Sequence, residues 1–391
     1  MKMNKWTVGL AAAGVVSLAS TAQAEENSVL TSLGSTVLSG SVEASYIGGF
    51  SGNNNLYSDG GDFGAHGASL SVGSPLGEGD YSAGYNVELL IGQRAENFGL
   101  IADKDFLLKN ANIGMNLPFG NGVDLTLGLF DTIVGYEVEA SASNPNVTRS
   151  YGYGLEPFTH TGLLASTELM DGLSVSAALT NGFDSTGPNN NDGNGTELGY
   201  VAGVEYTLPD SLGFLAGNSI FVGFADGNND DNVLSDGSTT ATDDDELFYI
   251  GASINTPIEG LSLGVAYDDR QYAGGGEADA TAIYAVYSLS DSTSVSLRYD
   301  MGEIDGSDVD LPTDSADMLT LTINHQLWEN LTTRLELGWE NGAGVFATQQ
   351  LVGNGFGARD FNTFRNEAGE VIGTSGAGSS SFFALNAFYA F

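Results

Sequence analysis

The sequence has no cysteine and only three histidines (His66, His160, His325). Disulfide scaffolds and Cys-ligated zinc or iron–sulfur sites are therefore excluded, and a multi-histidine metal centre would need all three. Positive charge is scarce as well: 11 Lys+Arg stand against 50 Asp+Glu in 391 residues, a formal net charge of −39. This excludes nucleic acid as a partner, because its binding depends on Lys and Arg neutralising phosphates. Long apolar runs are missing too, and past the first two dozen residues no stretch is long enough for a transmembrane helix. Proline is rare, at 8, whereas glycine reaches 55 and the aromatics number 20 Phe, 16 Tyr and 3 Trp. Such a composition excludes disorder and points to an all-β chain with many turns.

Lys2 and Lys5 precede the apolar run 6–18, and Ala22-Gln23-Ala24 follows with small residues where a signal peptidase reads. Residues 1–24 are expected to be a secretory signal peptide cut after Ala24, the apolar run being too short for the roughly 20 residues of a spanning helix. Its loss would leave nine basic residues and all fifty acidic ones on an exported chain, residues 25–391, forming one domain.

That chain is patterned with period two. Tyr81, Ala83, Tyr85, Val87, Leu89 and Ile91 alternate with Ser82, Gly84, Asn86 and Glu88, and Val295, Leu297, Tyr299 and Met301 repeat the rhythm. Alternation of this kind marks strands with one apolar and one polar face. Strands are expected near 36–46, 63–73, 81–92, 106–117, 123–131, 160–169, 173–181, 197–208, 219–225, 246–256, 261–270, 279–289, 293–301, 317–327, 331–340 and 381–391. Connections after even-numbered strands are short, and those after odd-numbered ones are long and rich in Asn, Asp and Gly. The expected fold is a transmembrane antiparallel up-and-down β-barrel of about 16 strands, with 14 or 18 as neighbours, its short turns periplasmic and its long loops extracellular. Closure of such a barrel pairs every strand edge, which is what lets so much backbone sit in lipid. Tyr46, Tyr81, Phe106, Tyr206, Phe214, Trp328, Trp339 and Phe391 fall near strand ends, as aromatic girdles at two membrane interfaces would. The final strand ends in Phe391, resembling the signal that outer-membrane barrels present to their assembly machinery.

Sixteen strands leave an aqueous channel rather than a packed interior, and the inward positions Ser82, Gly84, Asn86, Thr126 and Gly128 are small or polar. The loop 132–159 differs from the others in being semi-apolar, with Tyr136, Tyr151, Tyr153 and Phe158. It is expected to fold inward and constrict the lumen, placing Asp131, Glu137, Glu139, Arg149, Glu156 and His160 at the narrowest point. By strand phase Glu88, Glu205, Arg298, Asp300, Arg334 and Glu336 face the lumen wall. Charges lining a wet pore select ions by sign, and the acidic excess favours cations.

The segment GLFDTIVGYEVEASASNPNVTRSYGYGLEPFTHTG, residues 128–162, together with LSGSVEASYIGGF at 38–50, resembles the OmpL-like β-barrel porin family of Gram-negative outer membranes. The resemblance implies a channel for ions and small hydrophilic solutes and supplies no particular solute. The alternative reading is a non-conducting surface barrel acting as an adhesin or a structural outer-membrane protein. A homotrimer is compatible with the size. Catalysis is not expected: His160 in EPFTHTG has no nucleophile elbow beside it. No cofactor is expected either. The runs DGNNDDN at 226–232 and TDDDE at 242–246 leave weak Ca2+ or Mg2+ binding by the loops open, although neither has EF-hand spacing.

Overall fold

The computed structural model describes residues 36–52, 62–77, 80–92, 94–95, 105–184, 198–227, 245–272, 276–305, 315–342, 364–365, 371–373 and 379–391. The expected signal segment and residues 228–244, which hold most of the two acidic runs, lie outside them. Sixteen antiparallel strands close into a barrel, each bonded to its neighbour in sequence, with the first paired to the last. They are β1 (Val37–Gly52), β2 (Asp62–Ser74), β3 (Ala83–Ile91), β4 (Phe106–Leu117), β5 (Val123–Asp131), β6 (Thr159–Met170), β7 (Leu173–Thr180) and β8 (Gly199–Thr207). The circuit continues with β9 (Ser219–Gly227), β10 (Asp245–Asn255), β11 (Leu261–Gln271), β12 (Glu277–Ser290), β13 (Thr293–Asp305), β14 (Ser315–Trp328), β15 (Leu331–Asn341) and β16 (Ser379–Ala390). Closure runs through Ser41↔Ala390 to Ile47↔Ala384, so neither terminal strand leaves an open edge. Within the last long connection a separate hairpin pairs Phe364–Arg365 with Val371–Gly373, where the sequence reads only loop.

The pleat sorts side chains as the alternation requires. On β13 Leu297, Tyr299 and Met301 are exposed, while Ser296, Arg298 and Asp300 between them are fully enclosed. Exposed aromatics gather towards the strand ends, among them Tyr81, Phe106, Phe214, Trp328 and Trp339. One of the two-residue reversals, Asp171-Gly172 between β6 and β7, has Gly172 at φ +80°, a left-handed position that suits glycine.

Connection lengths depart from the expected alternation twice. The connection from β11 to β12 spans only 272–276, and that from β8 to β9 is extended by the 3-10 segment Asp210–Leu215. The inner face also needs a correction. It is small and polar at Asn86, Glu88 and Thr126, but Leu247, Tyr249, Tyr284, Met318 and Phe382 also point inward and are buried. They share one buried cluster with residues of the connection between β5 and β6, whose Tyr136 stacks on Tyr284.

Candidate functional site: the inner loop and the lumen wall

Residues 132–158 form an inner loop with a 3-10 turn, Ser141–Ser143, and one short helix, α1 (Tyr151–Leu155). Ser150 caps α1, its hydroxyl accepting from the Tyr153 amide at 3.3 Å. Ile133, Val134, Val147, Tyr151 and Leu155 share one buried cluster with the apolar inward residues of the wall. The Tyr136 ring stacks on Tyr284, with centroids 4.4 Å apart. Two wall glycines make room: a Cβ on Gly223 would meet the Val134 side chain, and one on Gly264 the Tyr136 hydroxyl. The loop is thus seated knob into hole on β9 and β11.

Charged groups fasten its middle. The Glu336 carboxylate of β15 accepts from the Val147 amide (2.5 Å), the Thr148 amide (2.9 Å) and the Thr148 hydroxyl (2.7 Å). Arg298 of β13 donates to the Thr148 carbonyl (2.6 Å), to Asp300 (2.8 Å) and to Glu137 (3.3 Å). Asp300 in turn accepts from the Tyr151 amide at 3.1 Å. Arg334 of β15 donates to the carbonyls of Asn146 (3.1 Å) and Ser141 (2.5 Å), and its guanidinium lies over the Phe388 ring. Glu43 of β1 accepts from the Ser141 hydroxyl at 2.8 Å. Such charge-assisted bonds in an enclosed site are the strong ones.

Each residue singled out by sequence has a definite place. Asp131, Glu137, Glu139, Glu156, Glu205 and Arg334 line a cavity of about 770 Å3 between the loop and the wall. Arg149 does not line it: the side chain is wholly enclosed, donating to the loop's own carbonyls at Val138 (3.0 Å), Val147 (3.0 Å) and Glu139 (2.8 Å). His160 is also enclosed, its Nε2 3.1 Å from the Thr132 hydroxyl. Arg298, Asp300 and Glu336 point inward as their phase requires, but the loop covers them. Glu88 meets Lys109, which bridges it (3.3 Å) to Asp131 (2.8 Å).

Several participants escape a sequence reading. Lys109 follows two leucines and its inward position depends on a register shift between β3 and β4 at Glu88/Leu89. Arg94, in the connection between β3 and β4, holds Glu139 at 2.5 Å and reaches Ser41 at 3.0 Å. Burial alone would raise the Glu139 carboxyl, but Arg94, Lys109 and Arg149 hold it below its ordinary value. Asp268 and Arg270 of β11, by contrast, share an inward phase with Gly264 and are legible by alternation. Every Lys and Arg among the described residues whose side chains are placed (Arg94, Lys109, Arg149, Arg270, Arg298, Arg334) is buried inside the barrel.

Known proteins agree with this architecture. An anion-selective porin from Comamonas acidovorans shares 14% identity over 91% of this chain and 99% of its own, with a TM-score of 0.60. The outer-membrane channel DcaP of Acinetobacter baumannii shares 12% over 91% and 97%, also at 0.60. OmpT of Vibrio cholerae, in its trimer form, shares 13% over 91% and 99%, at 0.56. At these identities the likeness is one of fold. No curated protein sequence matches the chain. The family described as "Putative beta-barrel porin-2, OmpL-like" matches residues 35–369. The chain therefore belongs to this β-barrel porin family and is an outer-membrane channel protein of sixteen strands.

Proposed function

We propose that this porin conducts ions and small hydrophilic solutes by passive diffusion and prefers cations. The observation that carries the preference is the lining of the cavity beside the inner loop: five carboxyl residues (Asp131, Glu137, Glu139, Glu156, Glu205) against two cations, Lys109 and Arg334. Lys109 is paired with Glu88 and Asp131, Arg94 with Glu139 and Arg298 with Glu137, and Arg334 is turned to loop carbonyls, so the cations of the passage are committed while the chain as a whole keeps its large acidic excess. A field of that sign concentrates cations in a water-filled constriction. The inner loop is the constricting element.

In this reading residues 1–24 direct export, the strand ending at Phe391 is presented to the barrel-assembly machinery, and the barrel functions as a homotrimer, the form in which OmpT has been seen. The test is single-channel recording of the refolded chain, residues 25–391, in a planar bilayer with a salt gradient. Ohmic steps with a cation-selective reversal potential are expected. An anion-selective reversal overturns the preference, and silence from folded, inserted protein overturns the open pore in favour of an adhesin or a structural barrel.

A further inference from the structure

Behind the inner loop two carboxyl groups meet with no cation between them. Glu156 directly follows α1, Asp268 projects inward from β11, and the two carboxyl groups lie within reach of each other. Both are enclosed, and Asp268 Oδ1 has no hydrogen-bond partner. The fit is steric as well. Gly152 of α1 lacks a side chain where Asp268 stands, and Gly135 does the same for Glu156.

The titratable groups facing this pair are Tyr136, Glu137 and Tyr153 of the loop and Tyr249 of β10, with Arg270 of β11 and its partner Asp245 of β10 beside them. Tyr284 of β12 and Arg298 and Asp300 of β13 complete the surroundings of α1. Neither arginine reaches the pair: Arg270 is committed to Asp245 (2.5 Å) and the Leu155 carbonyl (3.1 Å), and Arg298 to Asp300 and Glu137. Among the described ion pairs none includes Glu156 or Asp268. Burial, with the acids Asp268 and Glu137 beside it, pushes the Glu156 carboxyl well above its ordinary value. A carboxyl–carboxyl hydrogen bond requires one proton, and two carboxylates in contact away from water cannot both stay ionised.

We infer that Glu156 and Asp268 form a proton-held latch that fixes the end of α1 to β11 and lets it go when alkali removes the shared proton. The sign follows from linkage: a carboxyl raised in the docked state holds its proton more tightly there than when released. Docking is therefore favoured at low pH and weakened as pH rises through the raised value. Release is local, because the middle of the loop keeps its bonds to Glu336, Arg298 and Arg334. The latch would widen the path at one side of the cavity, and that consequence for conductance rests on the channel reading above. The docking does not.

The natural absence of cysteine permits a single nitroxide label at Gly154→Cys, within α1, on the refolded barrel in lipid vesicles. Spectra from about pH 6 to about pH 10, the range that raised buried carboxyls reach, report the mobility of α1 whether or not ions pass. The mobile component is expected to grow severalfold and reversibly on alkalinisation. It is expected to stay flat in Asp268→Asn, whose amide can donate to Glu156 at any pH, and in Glu156→Gln, which supplies the donor from the other side. The two variants guard each other against failure to fold. A flat spectrum in the parent, or an alkaline transition unchanged in both variants, overturns the latch. The same samples in planar bilayers separate the two readings. Silence at every pH alongside a variant-sensitive spectral transition keeps the latch and removes the channel, whereas steady conductance with flat spectra does the reverse.

Discussion

The middle of the inner loop and its flanks meet the barrel wall through different chemistry. Residues 141–151 are gripped by charged side chains from β1, β13 and β15, whose bonds reach loop amides, carbonyls and hydroxyls directly. The flanks, Ile133 to Tyr136 and Leu155 to Glu156, rest mainly on apolar rings, on two wall glycines and on the Glu156–Asp268 carboxyl pair, with a single charged bond, from Arg270 to the Leu155 carbonyl. Charge-assisted bonds have fixed partners and directions, so the middle has one seat. Apolar packing is less directional than charged bonds even where side chains fit into glycine gaps, so the flanks are where the loop can shift.

The largest break in this contrast is expected from Glu336→Ala. One carboxylate accepts three bonds from Val147 and Thr148 and a fourth from the Thr322 hydroxyl at 2.6 Å. Bonds to a charged group contribute about 1.5–3 kcal/mol each, and buried donors left without an acceptor cost about 1–3 kcal/mol. The middle of the loop is expected to detach, with larger and noisier single-channel steps and greater accessibility of residues 141–151 to protease, while the barrel stays closed. An unchanged step size with the variant folded would show that the flanks suffice to hold the loop.

Next in size is Gly264→Val, which addresses a flank without altering charge. Its side chain would occupy the space of the Tyr136 hydroxyl, and overpacking of this kind costs about 1–3 kcal/mol. The loop flank is expected to lift from β11, changing step conductance but leaving the reversal potential where it was. A shifted reversal potential would mean that the flank also positions charge at the constriction.

The same contrast sets how much of the molecule is legible in its sequence. The barrel is, because period-two alternation repeats in each strand and closure asks only for an even count with polar turns. β5 and β6 fall at Val123–Asp131 and Thr159–Met170, within a residue of the alternating runs 123–131 and 160–169. Inward phase is legible too: Arg298, Asp300, Arg334 and Glu336 all point where alternation puts them. What each inward charge meets is not legible, because that depends on a loop whose path is fixed by contacts across the lumen. Arg149 looks like a pore charge and is a brace for its own loop. Lys109 sits inward through a register shift that no local pattern announces. Tyr249 and Tyr284 look like breaches of a polar lumen until Tyr136 and α1 are laid over them.

Acid is expected to act on the loop at a different place from alkali. Glu139 is tied to Arg94, and its carboxyl is held below the ordinary value by Arg94, Lys109 and Arg149 against the effect of burial. A carboxyl lowered in the folded state contributes stability above its unfolded value, and that stability fades as pH falls through the lowered one. Below about pH 4, the ordinary Glu range, the Arg94 tie is expected to weaken. Arg94→Met should abolish that acid transition in thermal stability and leave any alkaline change intact. An acid transition that persists in the variant would assign it to another carboxyl.

The smallest effect is expected at Glu205, which lies on β8 opposite Phe221 of β9 and lines the cavity from the wall. Glu205→Gln keeps the shape and removes one carboxyl from the lining, so step conductance and loop order should hardly change. The reversal potential under a salt gradient should move a modest way towards zero, and more so at low ionic strength, where screening is weaker. A shift as large as that of a loop-anchor variant would mean that the charge governing selectivity stands on the fixed wall, and that the inner loop contributes the shape of the passage but little of its sign.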